Sequence, residues 1–356
     1  MKKLMMITLI LALCLMCVGA AEEEEREIFT AGDYEYALLD DGTAEITKYS
    51  GLSETLVIPD TLDGHVVTAI GDGAFYWRSS LTSVTIPNSV TTIGVGAFQE
   101  CYNLSSVTIP DSVTAMGANP FAICGKLTDI RLSPDHPYLA VIDGVLFSKP
   151  DQRLICYPYA ISEKTYVIPT GIREIGNYAF FGCESLSNVT IPDSVAVIGT
   201  YAFFGCYSLS SVTIPDSVTE IRNYAFYRCW SLSSVTIPDS VTVIGDRAFS
   251  ACYSLTSVTI PDSVTVIGDT AFYACWSLIS VTIPGSVTVI GDSAFYGCDS
   301  LTNMTIPDSV TSIGDNAFSC CENLTLTVGR YSHAKQYCID NGLEYIYPDS
   351  LDWLND

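Results

Sequence analysis

The stretch Leu255–Ser277 reads LTSVTIPDSVTVIGDTAFYACWS, and close copies of it recur through most of the chain. The proline after its first apolar run returns at a constant interval of 23 residues. A constant period of about 20 to 50 residues indicates stacked structural repeats, in which each unit buries its apolar face against its neighbours. The evenly spaced prolines are Pro169, Pro192, Pro215, Pro238, Pro261, Pro284 and Pro307, and the same interval separates Pro87 from Pro110.

The first half of the unit has the pattern of a strand. In Ser257–Ile260, valine and isoleucine alternate with serine and threonine, which is the two-residue period of a strand with one face on a core. Pro261 has no N–H group to donate and ends the strand. The β-branched run Ser263–Ile267 predicts a second short extended segment.

The second half of the unit has the pattern of a compact turn. Gly268 allows a corner, and Asp269 is placed to cap the next turn by accepting backbone N–H bonds. The run Ala271–Cys275 predicts a short helical or 3₁₀ piece, in which Phe272 and Cys275 share the inward face. Ten units carry the phenylalanine, namely Phe75, Phe98, Phe121, Phe180, Phe203, Phe226, Phe249, Phe272, Phe295 and Phe318.

The repeat L-x-x-V-T-I-P-D-S-V-T-x-I-G-x-x-A-F-x-x-C resembles that of the BspA-like leucine-rich-repeat family over roughly residues 52–325. The resemblance implies a leucine-rich-repeat solenoid with a 23-residue period, parallel strands and a short helical turn in each coil. Tyr36–Pro59 resembles the N-terminal β cap of the family, with a hairpin turn at Asp40-Asp41-Gly42. Leu324–Tyr347 resembles its C-terminal cap, with a helix at about 332–341 ended by Gly342. Members are mostly secreted or surface-exposed and are implicated in adhesion and in binding host proteins.

The first 20 residues have the layout of a secretory signal peptide. Two lysines precede the apolar stretch Leu4–Val18, and Val18-Gly19-Ala20 offers the small residues of a cleavage site. The apolar stretch is shorter than the roughly 20 residues of a membrane-spanning helix. We expect cleavage and a secreted or cell-surface location. An uncleaved anchor and a lipoprotein acylated at Cys14 or Cys17 are the alternatives.

The rest of the chain divides by its pattern into three parts. An acidic N-terminus and β cap occupy residues 21–51, the solenoid residues 52–325, and the C-terminal cap residues 326–356. The interval from Pro110 to Pro169 breaks the period, so we assign residues 132–168 to an irregular unit. Asp143-Gly144 lies there between two apolar runs and is typical of a hairpin. The unit is interpreted as a structural spacer, with a binding protrusion as the alternative.

Nine cysteines recur at one place in the repeat and predict a ladder of buried, reduced thiols. Neighbouring members point in parallel, whereas a disulfide needs a particular torsion angle. The mature chain has no C-x-x-C pair and its three histidines lie far apart, so we expect no metal and no cofactor. Cys320 and Cys338 lie outside the ladder, and the sequence leaves open whether they are bridged. The ladder consists of Cys101, Cys124, Cys183, Cys206, Cys229, Cys252, Cys275, Cys298 and Cys321.

In several units an aromatic residue directly follows the ladder cysteine, and in several units another directly follows the core phenylalanine. Over successive units these residues form two columns, which we call the aromatic belt. They stand three residues apart in each unit, so a helical turn would place them side by side. Stacking between coils is one interpretation, and recognition is the other, because partly exposed Tyr and Trp are favoured at binding surfaces. The first column is Tyr102, Tyr207, Trp230, Tyr253 and Trp276, and the second is Phe181, Phe204, Tyr227, Tyr273 and Tyr296. The candidate ligand-binding residues are Tyr207, Tyr227, Trp230, Tyr253, Tyr273 and Trp276.

Two polar columns are weaker candidates. The outward strand face carries a threonine column, which β-propensity and cross-strand hydroxyl pairing explain, and a flat ligand surface or an ice-binding surface is the alternative. The aspartates that follow the prolines are explained by turn chemistry, with a weak calcium site as the alternative. The threonines that we retain as ligand-binding candidates are Thr213, Thr236, Thr259 and Thr282.

The composition limits the classes of partner. The chain has 356 residues, with 16 lysines and arginines against 40 aspartates and glutamates and a formal net charge of −24. Nucleic acids and anionic membrane surfaces would repel it. We expect a protein ligand with a basic patch, no nucleic acid, and no membrane span after signal cleavage. The leading hypothesis is a non-catalytic binding or adhesion module. A passive spacer in a surface layer is the alternative, and an enzyme is a distant one because catalytic motifs are missing.

Overall fold

A computed structural model of the chain describes residues 26–348. The predicted signal peptide, the acidic run Glu22–Glu25 and residues 349–356 lie outside the described residues. Each regular coil of 23 residues contributes one strand to each of two rows of parallel strands, and the irregular unit divides each row into two sheets. The predicted repeat solenoid is therefore the observed fold. No helix in the part of the chain that the structure describes is long and apolar enough to cross a membrane.

The first row consists of the short strands that contain the S-V-T motif. Ser234–Thr236 pairs in parallel and in register with Ser211–Thr213 on one side and with Ser257–Thr259 on the other, as predicted. The row forms a four-stranded sheet before the irregular unit and a nine-stranded sheet after it. Its strands are Thr55–Val57, Ser83–Thr85, Ser106–Thr108, Asp129–Arg131, Thr165–Val167, Asn188–Thr190, Ser211–Thr213, Ser234–Thr236, Ser257–Thr259, Ser280–Thr282, Asn303–Ile306, Thr325–Val328 and Tyr345–Ile346.

The second row contains the predicted second extended segment. Val266–Ile267 pairs in parallel with Val243–Ile244 and with Val289–Ile290. Together with the N-terminal cap and the irregular unit, the row forms a seven-stranded and a ten-stranded sheet. Its strands are Ile28–Ala31, Tyr34–Leu38, Ala44–Tyr49, Thr61–Leu62, His65–Ile70, Thr92–Ile93, Ala115–Met116, Leu139–Ile142, Val145–Ser148, Arg153–Cys156, Glu174–Ile175, Val197–Ile198, Glu220–Ile221, Val243–Ile244, Val266–Ile267, Val289–Ile290 and Ser312–Ile313.

The segment that follows the second strand differs from the prediction. Residues 271–274 form a run of turns that ends before Cys275, and the segment is not a helical or 3₁₀ piece. The N–H of Tyr273 closes a turn to the carbonyl of Thr270 at 3.1 Å, whereas the N–H of Phe272 donates to Ala294 in the next coil at 2.8 Å. Thr270 and Ala274 have positive φ angles of 52° and 56°, which a right-handed helix does not accept. The turns thus add a third line of hydrogen bonds between coils.

The core is built from identical residues stacked coil upon coil. The rings of Phe203 and Phe226 lie 5.0 Å apart between centroids with their planes 3° from parallel, and the same stacking recurs along the column. The core phenylalanines and the ladder cysteines are buried. Burial against neighbouring coils supplies the apolar area that one coil cannot cover alone.

The irregular unit is a buried divider between two stacks of coils. Leu139–Ile142 and Val145–Ser148 form an antiparallel hairpin around Asp143-Gly144, whose positive φ angles fit a two-residue turn. Leu146 packs into the core of the N-terminal coils, and Phe147 packs into the core of the C-terminal coils. Because both faces of this strand are buried, the structure favours the spacer interpretation over the protrusion.

Two caps cover the ends of the stacks. Tyr34–Leu38 and Ala44–Tyr49 form the N-terminal hairpin. The C-terminal helix His333–Asn341 begins after Ser332, whose hydroxyl accepts the N–H of Lys335, and ends at Gly342 with a φ of 65°. The helix buries Ala334, Tyr337 and Cys338, so it covers the last coil.

Candidate binding surface

The first column of the aromatic belt is a continuous stack of rings. Centroids lie 3.9 Å apart for Tyr207 and Trp230, 5.8 Å for Trp230 and Tyr253, and 3.9 Å for Tyr253 and Trp276. The planes of the last pair are only 8° from parallel. Both faces of Trp230 and of Tyr253 are therefore covered by neighbouring rings.

The stacked rings are also partly exposed. Trp276 is 48% exposed and Tyr273 is 38% exposed, whereas Tyr207, Trp230 and Tyr253 are half-buried. Because the faces inside the column are covered, the surface presents mainly ring edges, which carry the positive end of the aromatic quadrupole. The two interpretations of the belt are compatible, since the same side chains join coils and face solvent.

The second belt column is interrupted. Phe181 and Phe204 stack with 4.5 Å between centroids, and Phe204 meets Tyr227 edge to face at 5.2 Å. Ser250 takes the next position, after which Tyr273 and Tyr296 stack at 5.1 Å. The column consists of two separate stacks.

Contrary to the expectation from the sequence, the two belt columns do not lie side by side. Within residues 26–348, ring contacts run along the columns, and none joins Tyr227 to Trp230 or Tyr273 to Trp276. The reason is the turn geometry, because Arg228 and Ala274 lie between these pairs with positive φ angles of 62° and 56°. A left-handed residue reverses the local winding, so the side chains before and after it do not share a helical face.

A third aromatic column was missed in the sequence. Tyr201 stacks on Tyr178 at 5.0 Å and on Tyr224 at 4.4 Å between centroids. Arg247 occupies the same position in the next coil, and its guanidinium carbon lies 5.2 Å from the centroid of the Tyr224 ring. The signal was present, because each of these tyrosines precedes an Ala-Phe pair at the 23-residue interval.

Arg228 is a second arginine on this surface. Its guanidinium carbon lies 5.2 Å from the centroid of the Tyr227 ring. Burial raises the pKa of the Tyr207 hydroxyl, and the nearby Arg228 guanidinium acts in the opposite direction. One guanidinium therefore connects the two belt columns in adjacent coils.

The threonine column forms a flat and polar face. Thr213, Thr236, Thr259 and Thr282 are exposed and in register along the nine-stranded sheet. The valines between serine and threonine in these strands are buried. This face offers hydroxyl groups and little apolar area to a partner.

The charges around the belt are mostly negative. Residues 182–328 contain thirteen acidic and three basic side chains. Asp246 accepts the N–H of Asp269 at 3.0 Å, and Asp269 accepts the N–H of Asp292 at 2.8 Å, so these carboxylates cap the turn of the next coil. No group of three or more His, Cys, Asp or Glu side chains among the described residues is placed to hold a metal ion.

A shallow cleft opens where the repeat is broken by a bulky residue. Arg222 replaces the usual glycine, and the pairing of its coil with the next is reduced to Ile221 beside Ile244. At an ordinary coil, a Cβ on Gly268 would lie 2.8 Å from the backbone nitrogen of Asp246, so the glycine permits close stacking. The cleft has a volume of about 380 Å³, and its lining includes Glu220 and Arg222. These two residues lie at the second strand of their coil, whereas the belt residues come later in the coil, in and after the turns.

The cysteines of the described residues are free thiols. All nine ladder cysteines are buried free thiols, as predicted. Cys320 is exposed and Cys338 is buried, and both are free. Burial raises the pKa of the Cys275 thiol to about 12, which keeps it protonated at neutral pH.

The stacked 23-residue coils define a leucine-rich-repeat solenoid. Comparison with models of known protein families identifies the type of leucine-rich repeat. The model of the BspA type leucine rich repeat region matches residues 54–149, 155–278 and 265–341. The chain belongs to this family. No curated protein matches the chain.

Solved structures resemble the chain over most of its length. A leucine-rich repeat protein from Eubacterium ventriosum shares 22% identity with a TM-score of 0.63, over 85% of this chain and 95% of that one. A leucine rich cell surface protein from Faecalibacterium prausnitzii shares 30% identity with a TM-score of 0.45, over 89% and 98% of the two chains. The pneumococcal vaccine antigen PcpA shares 18% identity with a TM-score of 0.49, over 91% and 99%.

Proposed function

We propose that this protein is a secreted or cell-surface, non-catalytic leucine-rich-repeat module that binds a protein ligand through its aromatic belt. The observation that carries the proposal is the half-exposed stack from Tyr207 to Trp276. Tyr and Trp are enriched among residues that dominate binding energy, because they bury much apolar area and lose little conformational entropy. Membership of the BspA-type family and the signal-peptide pattern support the extracytoplasmic location.

The belt is a better recognition surface than the threonine column. An aromatic edge offers a partner far more apolar area than a threonine hydroxyl does. Its side chains are also held in place by stacking before the partner arrives, so binding costs little further side-chain entropy. A ligand should therefore lie across the turns that carry the belt.

The ligand is expected to have a basic patch. The negative side chains around the belt would attract such a surface and steer its approach. Association should slow as the salt concentration rises, because screening shortens the range of this attraction. A neutral or acidic ligand would lack this dependence.

The proposal is tested by capture with the mature chain. Proteins from candidate surroundings are passed over the immobilised chain and over the Trp276→Ala variant, with Thr259→Ala as the matched control on the threonine face. We expect a discrete protein to be retained by the chain and by Thr259→Ala and to be lost with folded Trp276→Ala. Retention of no discrete protein in several surroundings would contradict the proposal and favour the spacer.

A further inference from the structure

Two aromatic columns end against an arginine of the chain itself. The tyrosine column ends at Tyr224, whose hydroxyl accepts a hydrogen bond from Nη1 of Arg247 in the next coil, with the guanidinium carbon 5.2 Å from the ring centroid. The second belt column breaks after Tyr227, whose ring faces the guanidinium of Arg228. A cation over an aromatic face is favourable because the face carries the negative end of the ring quadrupole. The last ring of an interrupted stack is thus paired with an arginine at both places.

The first belt column ends differently. Trp276 stacks on Tyr253 with one face, and the same position in the next coil is occupied by Asp299. The two coils are adjacent there, because the N–H of Ser300 donates to the carbonyl of Trp276 at 3.1 Å. In the described part of the chain, no ring and no cation lies over the second face of Trp276. The indole is nevertheless the most exposed ring of the belt candidates.

The coils that form this end carry acidic side chains and no basic ones, although the Arg228 guanidinium of an earlier coil still acts on Tyr253. Between Arg247 and Arg330 the sequence contains no lysine or arginine, whereas it contains seven acidic residues. Asp299 is exposed and lies one coil beyond the indole. An aromatic ring and a carboxylate therefore occupy equivalent positions of adjacent coils, and residues 248–329 contain no lysine or arginine to pair with them.

We propose that this end of the belt is the docking position for an arginine side chain of the partner protein, with the guanidinium stacked on the free face of Trp276 and paired with the Asp299 carboxylate. The inference rests on the proposed function and names the chemistry that its ligand must present. Arginine fits better than lysine, because a planar guanidinium stacks on a ring and pairs with a carboxylate through two N–H groups. Tryptophan is also the best aromatic partner for a cation.

The first experiment uses N-acetyl-arginine amide as the probe, with N-acetyl-citrulline amide as its neutral isostere. Each is titrated into the isotope-labelled mature chain, and the indole N–H resonance of Trp276 is followed after assignment with Trp276→Phe. We expect a saturable shift with arginine and a dissociation constant of roughly tens of millimolar, as one cation–π contact and one exposed ion pair allow. Equal shifts with citrulline, or no saturation with arginine, would overturn the inference.

Two charge-matched variants test the role of the carboxylate. Asp299→Asn should weaken arginine binding about two- to fivefold. Asp262→Asn removes the same charge beyond the far end of the strand Ser257–Thr259 and should leave the affinity unchanged. An equal effect of the two variants would show that only the general negative field matters, and that outcome overturns the paired site. Melting temperatures of both variants confirm that they are folded.

Capture of the protein partner separates this inference from the proposed function. If the partner depends on Trp276 but the arginine probe does not bind, the proposed function stands and the arginine site fails. If the probe binds and Asp299→Asn weakens it, but no partner is retained, the arginine site stands and the proposed function fails. The conservative variant Trp276→Phe keeps a ring on Tyr253 and should retain part of the probe affinity, followed through the Ser300 amide.

Discussion

The thiol of Cys275 donates a hydrogen bond to the carbonyl oxygen of Phe249 in the preceding coil, with 3.3 Å between sulfur and oxygen. Cys229 donates in the same way to Phe203, and Cys252 to Phe226. The ladder cysteine is therefore a small apolar residue that also satisfies a buried carbonyl group. This relationship repeats with the coils and gives a packing and hydrogen-bonding reason for a cysteine at this position.

Thiol accessibility should follow burial. We expect Cys320, the exposed thiol among the described cysteines, to react rapidly with iodoacetamide in the native protein. The ladder cysteines should react only after denaturation. Mass mapping of the labelled peptides checks this, and Cys320→Ser should abolish the rapid phase. Rapid native labelling of several ladder cysteines, or disulfides between them, would show that the ladder is not buried.

Stability should fall at alkaline pH. Burial raises the pKa of the Cys275 thiol from 9.0 to about 12, and burial beside Glu100 raises the pKa of Tyr76 from 10.0 to about 12. A group whose pKa is higher in the folded than in the unfolded state contributes its full stabilisation at a pH below its unfolded-state pKa. That contribution is lost as the pH rises through its folded-state pKa. The denaturant midpoint should therefore decline progressively from about pH 9 to pH 12. A midpoint that stays flat over this window would contradict the buried, protonated groups.

The phenylalanine column should dominate core stability. Phe249 is buried between Phe226 and Phe272, with centroids 5.3 and 5.6 Å away. Phe249→Ala should lower the free energy of unfolding by about 3–5 kcal/mol, because it leaves a cavity that neighbouring coils cannot fill. Phe249→Leu should cost clearly less. Chemical denaturation measures both, and a loss below about 1 kcal/mol for the alanine variant would contradict the stacked core.

The strand periods predicted most of the fold. The alternation in Ser257–Ile260 and the constant interval set both the inward face and the register, because identical coils pair identical residues. The conformation of the turns at residues 270–275 was not predictable from the backbone preferences of the individual residue types. Thr270 adopts a positive φ that threonine rarely shows, and the N–H of Phe272 bonds to another coil. Both features depend on stacking and not on the local sequence.

The candidate site was predicted only in part. The belt residues recur in columns because the period places them there, so stacking of Trp230 and Tyr253 was open to sequence reasoning. The positions of Arg228 and Arg247 over tyrosine rings were not, because each depends on the direction of a side chain between coils. The separation of the two belt columns follows from the same left-handed turn residues.

The two belt tryptophans should differ in how much each contributes to the free energy of unfolding. Trp230 has rings on both faces, whereas Trp276 has a ring on one face and is about half exposed. Trp230→Ala should lower the free energy of unfolding by roughly 3 kcal/mol, and Trp276→Ala by about 1 kcal/mol. Denaturation of both variants in parallel gives the comparison. Equal losses, or a larger loss at Trp276, would contradict the described stacking.

The most direct measurement is the affinity of the captured protein partner for single variants of the belt and of the threonine column. Trp276→Ala should weaken binding by about 2 kcal/mol, or roughly 30-fold, because the most exposed aromatic anchor of the belt is removed. Thr259→Ala and Thr236→Ala should change the affinity by less than about threefold. Melting temperatures of the same samples separate lost binding from lost folding. Unchanged affinity in folded Trp276→Ala, together with lost affinity in the threonine variants, would contradict the belt as the binding surface and place the site on the strand face.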